Sequence, residues 1–600
     1  MANFSISLGF VDYLIILSYF VFALLIGVIL KNIGSKSVRA YFLSDSKLSW
    51  WLLGTSMAAT TFALDTPLRI AGWTRMEGIA KNWEDWVFLL GALFTSFFFS
   101  KLWRRTNVLN DAEFINLRYS GKPAAFLRGF RALYMGFIMN MLVIGVQLLA
   151  IAKIGALLFG ITSASPNYEL WKWGIAIVSG VTALSYCYLS GLSAIIYTDF
   201  VQFFLSLAGA IILAYFAVNH EAVGGLHGMV EHFKLYDPDK LNFMPPLKPA
   251  GIGKISLLVV IGYSAMRWWT QVYGGAEPGG QAHIAQRMLA AKTEKDSFFS
   301  TLWSSIASFG LKPLPWIITG LATIIIFPVA SFSNHEEAYL ATVNFVPTGL
   351  KGVVVASFFA AFMSTVDTRI NLGASYFVND FYRPFVDGTR TEKHYVKVGK
   401  AVSVAQILVA LCMLFIVDNM RSFFYIYAGI GSGAGLVYIL RFYWWRISAW
   451  SEIAAMSAAL VCVIIFRWGV YGTDAEFTNH GFEYMFISFF AVTAFWLLVT
   501  FITKPTTPEK LKAFYRTVKP GGPLWRPIAN ELKAEGIKSP DNLKVAFVGW
   551  LFANPMIFGI LFGVGGLLLG NVTNGIIWIG VSIVSGLITR WAVMHIADDK

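Results

Sequence analysis

The chain has 600 residues, of which 56% are hydrophobic, 16% are aromatic and only 14% are charged. This composition excludes a soluble multidomain protein and indicates a polytopic membrane protein. The net charge of +13 does not indicate nucleic-acid binding, because lysine and arginine cluster in alternate loops between apolar runs. The three cysteines lie within apolar runs, so we expect neither a disulfide nor a metal site from them.

Apolar runs of about 20 residues recur along the whole chain and predict about fifteen transmembrane helices. The first run lacks the basic leader and cleavage pattern of a signal peptide, so we expect it to be retained as a helix. Basic loops alternate with loops poorer in basic residues, which predicts an extracellular N-terminus and a cytoplasmic C-terminus. The expected spans are 10–31, 49–73, 83–103, 125–160, 170–189, 191–217, 255–276, 298–330, 350–382, 396–418, 422–445, 449–471, 481–503, 544–570 and 573–596.

Two of these segments are interrupted in a way that ordinary spans are not. The first, TSMAATTFALDTPLRIAGW, contains Asp65, Pro67 and Arg69, and the second, MRWWTQVYGGAEPGGQAH, has Pro278 among four glycines. We expect both to be locally unwound. If the first span is peripheral, they are the first and sixth of the next ten helices, and broken helices at such matching positions predict an inverted-repeat transporter. A proline kink and a re-entrant loop would explain each segment alone but not their pairing.

The segment SGLSAIIYTDFVQ opens the sixth predicted span and carries polar groups into an apolar helix. Asp199 and Gln202 lie three residues apart, so they share one helical face. Charged side chains within a membrane helix are costly and are usually functional.

A second polar stripe lies in the run AAFMSTVDTRINLGASY of the ninth predicted span. At about 100° per residue, the positions that share one face are Ala361, Ser364, Thr365 and Thr368, with Asp367 at the edge. A carboxylate in hydrocarbon costs about 2.5 to 3.5 kcal/mol, so this face should meet protein, water or an ion. The hydroxyls alone fit either a cation site or bonds to their own and neighbouring helices, and Asp367 favours the cation site.

These segments, together with AQRMLAAKTEK, resemble the sodium:solute symporter family, whose signature reads Gly-Gly-Leu, then Ala, then Thr-Asp and Gln at fixed spacing. The matching residues are Gly191, Leu192, Ala194, Thr198, Asp199 and Gln202, and Ser190 replaces the first glycine. The resemblance covers spans two to eleven and the connector FYRTVKPGG. It implies an all-α membrane protein with a LeuT-type core of two inverted five-helix repeats, one extra N-terminal helix and four extra C-terminal helices.

The resemblance also implies a division of the chain. It comprises an extra helix and cytoplasmic loop at 1–48, the first repeat at 49–217, an extracellular loop at 218–254, the second repeat at 255–445, two additional helices at 446–503, a basic cytoplasmic connector at 504–543 and two C-terminal helices at 544–600.

A sodium ion between the broken first core helix and the eighth is a further implication of the resemblance. Its ligands would be the carbonyls of Ala59, Phe62 and Ala361 and the hydroxyls of Ser364 and Thr365. The chemistry agrees with this assignment, because unwound backbone frees carbonyl oxygens and a hard cation prefers neutral oxygen to imidazole or thiolate. We therefore expect Na⁺ as the coupling ion and as the sole metal.

Some members of the family hold a second sodium ion between the fifth and eighth core helices. The matching positions here are Asp199, Ser364, Asp367 and Thr368. Asp367 stands where a hydroxyl residue is expected, so two carboxylates would converge on one pocket. Three readings stay open: a second cation, a shared proton, or a structural ion pair of Asp367 with Arg369 or another buried arginine.

The family places its solute at the membrane midplane against the breaks of the first and sixth core helices. The corresponding residues are Thr66, Asp85, Arg267, Trp268, Trp269, Thr270 and Gln271. The aromatic and hydrogen-bonding side chains suit a sugar-like ligand, whereas Arg267 suits a carboxylate. Alternatively, the two tryptophans are ordinary interface aromatics. Arg267 would then pair with Asp65 or Glu277.

The sequence therefore predicts a transporter, not an enzyme, that spans a bacterial inner membrane many times and moves a small polar organic solute inward with Na⁺. It contains no Walker A motif, so the energy should come from an ion gradient. Its partners would be the solute, Na⁺ and the lipid bilayer. A carrier driven by protons through Asp199 and Asp367, or a sensor that binds without turnover, are the alternatives. The sequence does not determine the oligomeric state.

Overall fold

The computed structural model describes residues 6–34, 36–161, 165–247, 255–270, 279–280, 282–328, 332, 335–414, 433–473 and 480–598. These residues are almost entirely helical or in short connections, and no β-strand occurs among them. One isolated backbone pairing joins Leu48 to Ala291. The predicted all-α class is confirmed.

The principal helices are numbered in chain order. They are α1 (Phe10–Gly34), α2 (Trp50–Thr60), α3 (Asp65–Glu77), α4 (Phe88–Phe98), α5 (Gly121–Leu158), α6 (Tyr168–Ser190), α7 (Leu192–Val218), α8 (Leu257–Thr270), α9 (Ala282–Ala290), α10 (Glu294–Ile326), α11 (Leu350–Phe385), α12 (Glu392–Met413), α13 (Gly435–Tyr443), α14 (Ala449–Val470), α15 (Gly481–Ile502), α16 (Pro508–Val518), α17 (Leu543–Leu568) and α18 (Val572–Asp598).

Shorter helical segments connect them. They are Val38–Leu43, Ser44–Ser46, Ile79–Asn82, Trp83–Trp86, Ser100–Thr106, Phe114–Arg118, Gly225–Tyr236, Pro238–Leu241, Glu337–Ala341, Thr342–Phe345, Pro523–Trp525, Arg526–Leu532 and Lys533–Glu535.

Ten helices among the described residues are long and apolar enough to cross a membrane. The count rises to eleven if Ile79–Phe98 and Ser100–Thr106, which meet at a bend of 50°, form one span. Such a set of apolar helices identifies a multi-pass membrane protein. The predicted number of fifteen spans is not confirmed, because several of these spans coincide with helices that are short, broken or only partly described.

Helix α11 lies at the centre of the bundle. In its most apolar stretch 89% of the residues are buried, against 22% in α1 and in α18. Helices α1, α5, α6, α7 and α12 pack against α11, and α7 runs along much of its length. A helix enclosed on all sides can keep hydroxyls and carboxylates away from lipid, so α11 can carry the polar stripe.

The N-terminal helix α1 is joined to α11 by one carboxylate. Asp12 is fully buried and accepts hydrogen bonds from the backbone N–H groups of Gly349 and Gly352, each at 2.7 Å, and of Gly9 at 2.8 Å. Its side chain thereby satisfies amide donors at the first turn of α11, which have no partner within the helix. The contact holds the peripheral helix on the core.

Candidate functional site

The first predicted break is confirmed. Helix α2 ends at Thr60 and α3 begins at Asp65, so residues 61–64 interrupt the helix where the sequence has its polar segment. The second interruption separates α8 from α9, and Gly279 and Gly280 there adopt positive φ angles of 75° and 65°. Residues 271–278 and 281 lie outside the described part of the chain.

The end of α2 meets the polar stripe of α11. The hydroxyl of Ser364 donates to the carbonyl of Ala59 at 3.1 Å and to that of Ala361 at 3.2 Å. The hydroxyl of Thr365 donates to the carbonyl of Thr60 at 3.2 Å and to that of Ala361 at 3.3 Å. Neutral oxygens from two helices therefore converge within a few ångströms, and all of these residues are buried. Such a cluster has the donor chemistry of a site for a hard cation.

Phe62 is the fifth residue predicted for this cage, and it lies in the break itself. Its backbone N–H donates to the carbonyl of Ala59 at 2.8 Å, and its ring packs edge-on against Trp316. The structure thus places Phe62 next to Ala59, one of the other four residues.

Lys312 is a neighbour of the cage to which the sequence assigned no role. Its ammonium group is buried and donates to the carbonyl of Ala58 at 2.8 Å and to the hydroxyl of Thr61 at 3.1 Å. It also lies 5.2 Å from the ring centroid of Phe62. The lysine therefore satisfies two oxygens on one side of the break. The only signal in the sequence was a lysine in an apolar run, and it did not indicate a partner.

Asp199 and Thr368, predicted for a second cation, share a partner. The carboxylate of Asp199 accepts from the hydroxyl of Ser56 at 2.5 Å and lies 3.5 Å from the guanidinium of Arg287. The same guanidinium donates to the hydroxyl of Thr368 at 2.6 Å. All four side chains are buried. The structure thus places an arginine between the two predicted ligands.

Asp367 has a different environment from Asp199. The hydroxyl of Tyr186 donates to its carboxylate at 2.5 Å, and the side chain is fully buried. No basic side chain among the described residues lies within 4.0 Å of it, so it forms no ion pair with Arg369 or Arg287 there. The ion pair of Asp367 with a buried arginine, one of the three open readings, is therefore not formed in the described part of the chain.

The predicted solute residues near α3 have partners of their own. Asp85 accepts from Arg69 at 3.0 Å, and Arg69 also lies 4.0 Å from Asp65 and against the ring of Trp73. The backbone N–H of Thr66 donates to the carbonyl of Ala63 at 3.0 Å, and the residue is half-buried. An ion pair that joins α3 to the following segment thus includes Asp85.

The predicted solute residues of α8 face other helices. Arg267 donates to the backbone carbonyl of Glu84 at 2.8 Å, and it does not pair with Asp65. Trp268 packs against Trp550 of α17, and Trp269 packs against Phe489 of α15. The side chain of Thr270 and all of Gln271 lie outside the described residues. The predicted solute residues that the structure describes contact different helices and are not grouped around one position. The solute site therefore stays a prediction.

A buried network of charges joins α5 to α14. Arg131 lies 2.8 Å from the carboxylate of Asp111 and 3.1 Å from that of Glu452. Glu452 also accepts from the hydroxyl of Tyr119 at 2.7 Å and lies 3.5 Å from Arg441. Buried charges persist only when they are paired, and here each carboxylate has more than one partner. The sequence did not indicate this network, because its members come from four separate segments.

Comparison with known proteins bears on this arrangement. The model of the Sodium:solute symporter family matches residues 41–462. The Sodium/glucose cotransporter of Vibrio parahaemolyticus is 25% identical over 497 residues, which are 78% of this chain and 87% of that protein. The High-affinity proline transporter PutP of Bacillus subtilis (strain 168) is 26% identical over 302 residues, which are 49% of this chain and 59% of that protein.

A solved structure shares the fold. The substrate-bound outward-open state of a Na⁺-coupled sialic acid symporter superposes with a TM-score of 0.63 at 18% identity, over 83% of this chain and 99% of that chain. At this level of identity the likeness establishes the fold and leaves the solute open.

Proposed function

Because the chain belongs to the sodium:solute symporter family, we propose that it moves a small polar organic solute, either sugar-like or a carboxylate, across the membrane together with Na⁺ by alternating access. The proposal agrees with the multi-pass helical fold and with the broken helix at the centre of the bundle. Broken helices in transporters expose carbonyl oxygens near the midplane, where the driving ion binds.

One observation carries the proposal: the hydroxyls of Ser364 and Thr365 lie against the carbonyls of Ala59 and Thr60. We assign Na⁺ to this cage, with Ala59, Phe62 and Ala361 as the carbonyl ligands. A sodium ion there would replace hydrogen bonds between two helices by bonds from both helices to one cation.

This placement explains how the ion could drive the solute. A cation shared by α2 and α11 would hold the end of α2 in one position and so order residues 61–64. The solute would then bind to residues 61–64 in an already ordered state. Because the solute would not have to order them, its affinity for the protein would be higher. By thermodynamic linkage the solute must raise the affinity for Na⁺ by the same factor.

The second cation predicted for Asp199, Asp367 and Thr368 stays a prediction. Arg287 already contacts Asp199 and Thr368, which favours one coupled sodium ion over two. A carrier driven by protons is the second candidate, because Asp367 is a buried carboxylate with a tyrosine as its partner and, among the described residues, no basic side chain within 4.0 Å.

We further propose fifteen spans in the inner membrane, arranged as two inverted five-helix repeats with one extra N-terminal and four extra C-terminal helices. The N-terminus would lie outside and the C-terminus in the cytoplasm. The alternation of basic loops supports this orientation. Cysteine accessibility on both sides of the membrane, measured at exposed positions of successive loops, would test it.

Uptake into proteoliposomes of the purified protein tests the transport proposal. Labelled glucose, proline and sialic acid, the solutes named for its relatives, are the first probes, followed by monocarboxylates. We expect an inward Na⁺ gradient to drive accumulation that a K⁺ gradient does not. Uptake driven by a pH gradient without Na⁺ would establish the proton carrier, and binding of a solute without uptake under any gradient would establish a sensor.

A further inference from the structure

Arg369 of α11 is a buried arginine whose charge has no partner among the described residues. Its side chain is 8% exposed, and its Nε atom is buried without a hydrogen bond. No carboxylate or carbonyl among the residues that the structure describes bonds to its guanidinium. A charge in the interior of a membrane protein is costly, so an arginine that is retained without a partner requires an explanation.

Other arginines show how this protein satisfies a buried guanidinium. Arg131 lies between the carboxylates of Asp111 and Glu452. Arg75 donates to the backbone carbonyls of Phe327 and Pro328 at 2.9 and 3.0 Å, and also to that of Thr323. In the described part of the chain, Arg369 has neither kind of partner.

His283, in the first turn of α9, is a second buried group without a partner. It is 1% exposed, and neither ring nitrogen has a hydrogen bond among the described residues. The helix that carries His283 packs against α11, which carries Arg369. Two neighbouring helices thus each carry a side chain that can donate hydrogen bonds and has no acceptor among the described residues.

The packing of α9 against α11 explains why they converge. Ala282 belongs to one buried cluster with Leu372 and Tyr376, which lie three and seven residues after Arg369 and so on its face of α11. One turn further along α9, Gln286 donates to Asn371 at 2.8 Å. His283 lies between these two residues in the sequence of α9.

The two arginines of this region differ in their partners. Arg287, the other arginine nearby, is matched by Asp199 at 3.5 Å. Asp367 lies on the same helix as Arg369, but it is bonded to Tyr186 on another face. Among the described residues, Arg369 therefore has no carboxylate within 4.0 Å, whereas Arg287 has one.

We propose that Arg369 and His283 form a subsite for the carboxylate group of the transported solute. A guanidinium can bind both oxygens of a carboxylate, and a neutral imidazole can add one N–H donor. An anion would thus supply the acceptors that both side chains lack. The inference rests on the proposed function, because it takes the anion to be part of the solute, and it selects an organic acid over a neutral sugar.

The position of the subsite relative to the sodium cage gives it a role in coupling. Arg369 follows Thr365 by four residues on the same helix, a rise of about 6 Å. A sodium ion in the cage and a carboxylate at Arg369 would therefore attract each other through a region of low dielectric constant. Each would raise the affinity for the other, which is what a symporter requires.

Binding of small anions to the purified full-length protein in nanodiscs tests the subsite. Acetate and acetamide have nearly the same shape but differ in charge, so they are compared in thermal-shift titrations at constant Na⁺ and ionic strength. We expect acetate to raise the melting temperature of the parent protein and acetamide not to do so. Arg369→Gln should weaken the acetate effect about tenfold or more, and His283→Gln should weaken it less.

Two substitutions at exposed positions serve as controls. Arg390→Gln removes a guanidinium whose side chain is 61% exposed, and His227→Gln removes an imidazole that is 86% exposed. Neither should change the acetate titration. Without acetate, Arg369→Gln should melt no lower than the parent protein, because it removes an unpaired charge, whereas an arginine with a structural role would lower the melting temperature when lost.

The remaining outcomes are also decisive. Equal shifts by acetate and acetamide, or an acetate shift that survives Arg369→Gln, would overturn the proposal. Shifts by chloride or phosphate as large as that by acetate, and equally dependent on Arg369, would assign the site to free inorganic anions and overturn its link to the solute. A shift by acetate that is the same in K⁺ as in Na⁺ would leave the subsite standing and count against sodium coupling instead.

Discussion

The guanidinium of Arg287 lies 3.5 Å from the carboxylate of Asp199, and both side chains are fully buried. The same guanidinium donates to Thr368, so a fixed positive charge lies where the sequence predicted a second cation. A tethered guanidinium and a free cation would compete for the same acceptors, because like charges repel strongly in a medium of low dielectric constant. This relationship favours a single coupled sodium ion.

Substitution of Arg287 should destabilise the protein. Arg287→Gln leaves Asp199 buried without its counter-charge, and we expect the free energy of unfolding to fall by about 3 to 5 kcal/mol. Unfolding of the purified protein in mixed micelles measures this loss. The double variant Arg287→Gln with Asp199→Asn should recover part of it, because it removes both charges. If the loss in the double variant equals the sum of the losses in Arg287→Gln and Asp199→Asn, the two side chains do not interact.

Loss of one hydroxyl from the cage should weaken sodium binding. Thr365→Ala removes an oxygen that lies against Thr60 and Ala361, and we expect about a tenfold rise in the Na⁺ concentration for half-maximal binding. Binding of ²²Na⁺ to the purified protein measures this without a known solute. Thr365→Ser should keep the affinity close to that of the parent protein.

A matched control for this experiment lies on the same helix. The hydroxyl of Ser357 is buried and bonds to the carbonyl of Val354, one turn earlier in α11. Ser357→Ala should therefore leave sodium binding unchanged. An equal effect of Ser357→Ala and Thr365→Ala would indicate a general loss of structure and not the loss of a ligand.

The ratio of Na⁺ to solute decides the role of Asp367. Asp367→Asn keeps an oxygen that can accept from Tyr186, and we expect the number of sodium ions carried with each solute molecule to stay the same. Reversal potentials of proteoliposomes loaded at different Na⁺ gradients measure this number. Tyr186→Phe should likewise leave it unchanged. If Asp367→Asn carries one sodium ion fewer with each solute molecule than the parent protein does, a second cation site is established.

The attachment of α1 depends on Asp12. Asp12→Ala removes the acceptor for three backbone amides, and we expect a loss of about 3 kcal/mol in the free energy of unfolding. Asp12→Asn keeps one acceptor oxygen and should lose less. Because the contact lies far from the cage along α11, ²²Na⁺ binding by the folded protein should be unchanged. A weaker affinity for sodium would show that α1 takes part in the site.

The buried network around Glu452 should contribute far more stability than an exposed ion pair. Glu452→Gln leaves Arg131 and Arg441 without a full counter-charge, with an expected loss of about 3 to 5 kcal/mol. Glu531→Gln breaks the exposed contact with Lys512 at 2.8 Å, and we expect a loss of about 0 to 1 kcal/mol. The same unfolding assay compares the two. If Glu452→Gln and Glu531→Gln lose a similar free energy of unfolding, the proposed effect of burial on the strength of these ion pairs is wrong.

Several features of the fold could be predicted from local pattern. Apolar runs identified a multi-pass helical membrane protein, because the length of an apolar helix follows directly from the thickness of the bilayer. The polar segment before Pro67 predicted the break between α2 and α3. The resemblance to a family then indicated that Ala59 faces Ser364 and Thr365, and the structure brings these residues together.

The partners of the buried charges could not be predicted in this way. Asp367 and Tyr186 are 181 residues apart, and nothing local to either one indicates the other. Asp367 does not pair with Arg369, which was one of three alternatives, because residues two positions apart leave α11 on different faces. Which face of one helix meets which face of another depends on packing across the whole bundle, and that packing is a property of the tertiary structure.

The sequence by itself determined the class of protein, the family and the position of the polar stripe on α11, because hydropathy and helical periodicity are local properties. Only the tertiary structure decided that Arg287 neutralises Asp199 and that Lys312 binds at the break in the first core helix. It also decided that Arg369 has no partner among the described residues. Charge pairing acts over a few ångströms in space, and those distances exist only once the helices have packed.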